Sequence, residues 1–294
     1  MQIRQNPLFV AHRSAARLSD LQQKLDRATE VALTGSDVHR PSDAPGAWGK
    51  LHGLASERAD QDVWMDGVNH AQDLLDTAES ALSAASNLVQ QAWERAVQLS
   101  SDSYGTEERT AAASEIAGLR DDLLGLANTK LDQQRIFAGD AFNADAFDAT
   151  GTYQGTTATG TIQIGEQQQV GATFDGSQVF QGDVDIFAVL SNLENALAAD
   201  DAAGVAATLD DLDAGSRQLV SARQEVGYRR ARTEDAFQVA QNLSLMLDQR
   251  LTDAVSVDPA EAFTNLAQLQ TSYQAALQVT ASTGSGSKLF DFIR

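Results

Sequence analysis

Four histidines, His12, His39, His52 and His70, are the first residues to weigh for metal or acid–base chemistry. A metal site on a helix needs two ligands three or four residues apart on one face, and no two of these histidines have that spacing. Carboxylates gather at Asp121-Asp122 and at Asp210-Asp211-Asp213. Neighbouring residues on a helix point to different faces, so these clusters read as solvated surface and not as an acid/base pair. A calcium loop needs alternating oxygen ligands around a central glycine, and none is found. Gly284-Ser285-Gly286-Ser287 is glycine-rich, but no strand precedes it and no Lys-Thr pair opens a helix after it, so it reads as a flexible link. No nucleophile elbow and no dinucleotide fingerprint occurs. The residues therefore predict no catalytic group, no metal, no cofactor and no enzyme.

Composition narrows the partners. The chain has 294 residues and no cysteine, which excludes disulfides and thiolate metal sites. Its formal charge of -20 repels phosphate backbones and anionic membranes, so neither nucleic acid nor membrane insertion is expected. No stretch approaches the roughly 20 apolar residues that span a bilayer. Met1 to Asp20 carries Arg4, His12, Arg13 and Arg17 among its apolar residues, unlike a cleaved signal peptide. Hydrophobic residues make up 43% of the chain and aromatic ones only 6%. Alanine and leucine dominate, which predicts slender, closely packed helices rather than a thick aromatic core.

The elements follow from periodicity. From Pro7 to Leu33, Ala11, Leu18, Leu21, Leu25, Ala28 and Ala32 form a stripe at spacings of three and four that closes at Gly35. A turn-rich stretch follows, in which Ser42 or Asp43 is placed to cap the next helix. From about Ala44 to Leu99, ten successive heptad-like positions from Val68 to Leu99 are all apolar, a coiled-coil-like seam. Gly67 is the expected interruption. Thr106 is placed to cap a helix running to about Phe137. Gly139 to Gly182 is rich in Gly, Thr, Asp and Gln, with alternation at Thr161 to Ile164 and Val170 to Phe174, and reads as short strands. Helical period returns near Asp185 and continues past Leu251. Asp258-Pro259 with Glu261 starts a last helix whose stripe is Ala262, Leu266, Leu269, Tyr273, Ala276 and Thr280.

The fold class expected is mainly α: an elongated coiled-coil-like bundle of N- and C-terminal segments with a small β-rich insert. Residues 1–42 and 255–294 form terminal helical arms, 43–138 and 183–254 a long helical body, and 139–182 the insert. Helices on either side of an insert find their cheapest partner in the returning chain, so the two ends should lie side by side. The arms are short on large residues and would be marginal alone in water, which predicts that they gain order by assembling with copies of the chain. At ~25 cal/mol per Å², a few hundred Å² of such contact contributes several kcal/mol before the cost of ordering.

Val31 to Leu51 then carries a resemblance. Gly35, Arg40, Pro41, Ser42, Asp43 and Pro45 match a G-x(n)-R-P-S-D-x-P pattern, which is similar to the N-terminal signature of the bacterial flagellin superfamily. The prolines, the start Met1-Gln2-Ile3-Arg4 and then Asn6, and Ile136-Phe137-Ala138-Gly139 followed by Gly151-x-Tyr153-x-Gly155 resemble the branch that joins hook to filament. Asp258 to Ser282 looks like the family's C-terminal helix, and Leu289-Phe290-Asp291-Phe292-Ile293 like its Leu-Leu-Asp-Phe-Leu type of ending. Asp43-Ala44 stands where the signature has Asp-Asp, and Gly227-Tyr228-Arg229 where the family has Gly-Ala-Arg.

The resemblance implies an extracellular structural subunit at the hook–filament junction, exported unfolded through a type III apparatus without a cleaved signal and guided by a chaperone. It would assemble as a ring of copies, with a hook-side junction protein on one side and flagellin or the filament cap on the other. Self-assembly and partner contacts are expected at Leu18, Leu21, Leu25, Ala28, Leu266, Leu269, Tyr273, Leu277, Leu289, Phe290, Phe292 and Ile293. Two other readings stay open on the residues alone: a flagellin that forms the filament itself, and an acidic coiled-coil binding module unrelated to flagella.

Overall fold

The computed structural model describes residues 7–101, 104–141 and 144–291. The chain is mainly α-helical. In order it runs α1 (Pro7–Thr34), α2 (Pro45–Leu99), α3 (Thr106–Ala127), β1 (Lys130–Leu131), β2 (Gln134–Arg135), β3 (Thr161–Gln163), β4 (Gln169–Gly171), α4 (Gly176–Gln181), α5 (Ile186–Ala198), α6 (Ala202–Ala207), α7 (Leu209–Val255) and α8 (Pro259–Asp291). It divides into a terminal unit, Met1–Arg58 with Leu245–Arg294, and a body, Ala59–Ser244. None of the described helices is long and apolar enough to cross a membrane.

In the body, the seam read from the sequence is a core. Val68, Ala71, Leu75, Ala78, Leu82, Ala85, Val89, Ala92, Ala96 and Leu99 are all buried, and this chain's own elements cover them. Facing positions on α3, α5 and α7, among them Ile116, Leu123, Leu193, Leu219 and Val226, complete it. Ion pairs tie the helices at its rim: Arg223 Nη2 to Glu79 Oε1 at 2.7 Å and Arg230 Nε to Asp76 Oδ1 at 2.7 Å join α2 to α7, and Arg95 Nη2 to Glu115 Oε2 at 2.6 Å joins α2 to α3.

The helix boundaries depart from the periodicity in ways that side-chain chemistry explains. Gly67 does not interrupt α2. A Cβ at that position would lie 2.4 Å from the carbonyl oxygen of Gln163, so the glycine is where the backbone of β3 comes close to the helix. Thr106 does not cap α3. Its hydroxyl donates to Asp200 Oδ2 at 2.7 Å, while Glu108 Oε2 accepts from the backbone N–H of Gly105 at 3.1 Å. Nor does α3 reach Phe137. It stops at Ala127, where the Asn128 side chain pairs with Phe147 like a strand edge, its Nδ2 donating to the carbonyl and its Oδ1 accepting from the N–H, each at 2.9 Å. The Lys130–Arg135 hairpin follows, turning at Asp132 with φ 53°.

Ile136 to Ala138 is thereby drawn into the β-bearing region. Phe174 N–H donates to Ile136 at 2.8 Å, and Gly176 N–H to Phe137 at 2.9 Å. β3 and β4 pair antiparallel with Ile162 opposite Val170, and their apolar face packs on Val68 and Ala71 of α2 and Ala236 of α7. The low aromatic content misled in one respect, because the rings are concentrated here. Phe147 has its ring centroid 5.2 Å from Tyr153, 5.6 Å from Phe180 and 5.1 Å from Phe187, and Phe137 lies 5.3 Å from Phe180. This is an edge-to-face and tilted packing typical of a compact core.

Arg109 secures one end of the body. Only 5% exposed, it donates from Nε to the carbonyl of Leu99 at 3.2 Å and from Nη2 to that of Ser101 at 2.8 Å, which satisfies carbonyls where α2 ends. Its Nη1 pairs with Asp200, a residue held at φ 57°.

Candidate assembly surface

The terminal unit brings the two ends of the chain together. α1 and α8 pack along each other. They run antiparallel, since Ala28 and Ala262 line one depression while Tyr273 Oη reaches Gln22 Oε1 at 3.5 Å further along. Leu18, Leu21 and Leu25 on α1, and Leu266, Leu269 and Tyr273 on α8, are only half-buried by this pairing. Ala28 and Ala262 are the stripe positions that are buried. Leu277 falls outside the seam at 45% exposure, and so does Phe263 at 58%. The side chains of Ala11, Leu289 and Phe290, and the whole of Met1-Gln2-Ile3-Arg4, Asn6, Phe292 and Ile293, lie outside the described residues. α8 continues as helix through Gly284-Ser285-Gly286-Ser287, so the link expected there is not a break. Helix propagation from the long preceding segment outweighs the ~1 kcal/mol that each glycine costs.

The Gly35 to Pro45 motif builds the joint beside the arms. Gly35 ends α1 in the left-handed region, at φ 69°, with its N–H donating to Val31 O at 2.8 Å. That turn lets the chain pair with the end of α7 and the link to α8: Asp37 N–H donates to Val255 O at 3.1 Å, Val257 N–H to Gly35 O at 3.0 Å, and Ser36 bridges Ser256. Asp43 does not cap α2, which is preceded by Ala44 and opens with Pro45 in its first position. Asp43 turns back instead. Its Oδ2 accepts from the N–H groups of Arg40 at 2.9 Å and His39 at 3.2 Å, and its Oδ1 lies 3.5 Å from Arg27 Nη1. Desolvation opposes ionisation here, but those N–H groups and the Arg27 charge prevail and hold the Asp43 carboxyl below its usual range. Arg40, Pro41 and Ser42 form the exposed turn that this carboxylate closes. The motif is a folded corner that sets where α1 ends and α8 begins.

Sequence reasoning missed Arg27 and Arg58, the second of which pairs with Asp248 Oδ1 at 2.8 Å. It also missed Arg229, whose Nη1 donates to the carbonyls of Gly171 at 3.2 Å and Thr173 at 3.0 Å while the guanidinium stacks 4.4 Å from the Phe174 ring. Arg229 is the arginine of Gly227-Tyr228-Arg229, and its place in that motif was the available signal. Among the described residues, one surface groove is lined by both arms, from Ala28 and Val31 to Ala262 and Leu269. Among the described residues no three His, Cys, Asp or Glu side chains are placed to hold a metal. His39 Nε2 lies 2.9 Å from Thr34 Oγ1.

Comparison with known proteins agrees with this arrangement. The model of the bacterial flagellin N-terminal helical region matches residues 6–141, and that of the C-terminal helical region matches residues 209–287. The chain is 27% identical to flagellar hook-associated protein 3 of Escherichia coli over 84% of its own length and 86% of that protein's. It is 29% identical to flagellar hook-associated protein 3 of Salmonella typhimurium over 55% of its length and 52% of that protein's. The crystal structure of a flagellar junction protein from Legionella pneumophila superposes with a TM-score of 0.58 at 14% identity, covering 70% of this chain and 99% of the other, which is a likeness of fold.

Proposed function

Because the chain belongs to the bacterial flagellin family, we propose that it is a non-enzymatic structural subunit of the flagellum that joins hook to filament. The observation that carries this reading is the α1–α8 pair, an antiparallel couple whose leucines and Tyr273 stay half-open. Each arm covers one side of the other and leaves a second side for a neighbour. Leu18, Leu21, Leu25, Leu266, Leu269, Tyr273 and Leu277, with Leu289, Phe290, Phe292 and Ile293 at the end of the chain, are the residues assigned to contacts between copies and with axial partners. The copies form a ring, with a hook-side junction protein on one face and flagellin or the filament cap on the other. The subunit reaches this place by flagellar export without a cleaved signal, with a chaperone covering its ends beforehand.

The test is location and abundance in isolated hook–filament particles. The chain is expected in few copies at the junction, and its loss is expected to leave cells with hooks and without attached filaments. Recovery of this chain as the bulk protein of sheared filaments would make it a filament flagellin, and a strictly cytosolic chain would exclude both assignments.

A further inference from the structure

The net charge of the chain is carried by one unit alone. Residues 59–244 hold 30 of the 41 acidic residues and 10 of the 21 lysines and arginines, so the body accounts for the whole formal charge of -20. The terminal unit holds 11 of each sign and is formally neutral. Within it, α8 has no charged residue between Glu261 and Lys288, and Phe263, Leu277 and Val279 are exposed along that stretch. The body has little cation to spare, since eight of its ten basic residues already pair with body carboxylates. Its surplus is carboxylate, much of it exposed, as at Asp60, Asp66, Asp73 and Asp122.

We propose that this division gates self-association by ionic strength, with the gate on the body: the neutral terminal unit attracts other copies, and the acidic body repels them until counter-ions screen it. The proposal rests on the reading of the terminal unit as the self-assembly surface and adds its regulation. Screening length falls from ~10 Å at 0.1 M salt to ~3 Å at 1 M, so repulsion between bodies falls steeply over that range. Contacts through an uncharged, partly apolar helix give salt little Coulombic leverage of their own. A free copy therefore stays separate in dilute, low-salt solution although its arms are open. It joins others where salt is high or where the growing structure concentrates it.

Sedimentation velocity of the full chain in NaCl, from about 50 mM to about 1 M, is expected to show association tightening by about tenfold or more. Salt also strengthens apolar burial, so the comparison of two variants decides. The first removes five exposed body charges: Asp60→Asn, Asp66→Asn, Asp73→Asn, Asp122→Asn and Asp235→Asn. The second removes five exposed terminal charges: Asp26→Asn, Glu30→Gln, Glu57→Gln, Asp253→Asn and Glu261→Gln. Both have the same net charge, and circular dichroism melts establish that both are folded. The body variant is expected to associate at markedly lower salt with a flattened salt dependence, and the terminal variant to shift less. Equal shifts, or a larger shift in the terminal variant, overturn the location of the gate. Association of the unaltered chain that ignores salt overturns the gate itself while leaving the assembly surface standing. No association at any salt overturns the assembly surface and the gate with it.

Discussion

The seam from Val68 to Leu99 and the stripes of α1 and α8 have the same spacing of three and four, yet the chain treats them differently. In the body every seam position is buried by the chain's own elements. In the terminal unit the matching leucines are left half-open by a single partner helix. Periodicity states that a helix has an apolar face. How many neighbours cover that face depends on what else the chain folds around it. The body surrounds its seam with α3, α5 and α7 and an aromatic cluster, whereas the described stripes of the arms pack on each other.

The sharpest way to break this contrast is to remove an arm. Deleting Met1–Leu33 or Asp258–Arg294 should abolish assembly in sedimentation and electron microscopy while the body keeps its far-ultraviolet dichroism and its unfolding transition. A body that unfolds on losing an arm would show that the arms belong to its core. The same deletions test the three-part division into arms 1–42 and 255–294, body and insert against the two-unit division that meets at Arg58 and Leu245.

Single truncations come next in size. Leu82→Ala or Phe147→Ala removes a fully buried side chain and should cost about 2–5 kcal/mol in urea unfolding of the intact chain. Leu21→Ala, half-buried on α1, should cost less than about 1.5 kcal/mol in the isolated copy and show its main effect on association. Equal costs at the two places would erase the distinction drawn above.

Glycines on α2 provide a finer contrast along one helix. At Gly53, in the terminal unit, an added Cβ meets nothing within 4 Å, so Gly53→Ala should stabilise by up to about 1 kcal/mol through helix propensity. At Gly67, in the body, the same methyl meets a backbone carbonyl that cannot step aside without moving β3, so Gly67→Ala should destabilise by about 1–3 kcal/mol despite the same propensity gain. Thermal melts of the two variants should therefore move in opposite directions.

These glycines also mark how far the sequence was legible. Helix stripes, the Asp258-Pro259 start with Asp258 Oδ1 accepting from Ala260 N–H at 2.8 Å, and the short strands around Ile162 and Val170 were readable because each is a local pattern. Gly67, Thr106 and the end of α3 were not, because each is decided by a residue distant in sequence: Gln163 for the first, Asp200 for the second and Phe147 for the third. The Arg40 to Pro45 motif was recognisable as a pattern. Its mechanics depend on Arg27, a residue whose helical position says nothing of its reach to Asp43.

The smallest expected effects separate the two units by their carboxylates. Asp200 is held below the usual carboxylate range first by its hydrogen bond from Arg109 and then by that from Thr106, and Asp43 is lowered as well. A carboxyl depressed in the folded state contributes stability above its unfolded value, 3.8, and loses it as pH falls through the folded value. Both joints should thus loosen in acid, and Asp200→Asn and Asp43→Asn should each flatten the decline in local hydrogen-exchange protection below roughly pH 4. Salt then tells them apart. The Arg109 side chain is 6% exposed and that of Asp200 36%, so counter-ions reach their pairing from the carboxylate side alone. That of Arg27 is 51% exposed, so its pairing with Asp43 is screened. Raising NaCl at neutral pH should shrink the difference between Asp43→Asn and the unaltered chain at the α1–α8 joint more than the difference made by Asp200→Asn near α3. If salt diminished both equally, the Arg109 clamp would be as open to solvent as the arm joint, and the contrast between a closed body and open arms would fail at the level of its ion pairs.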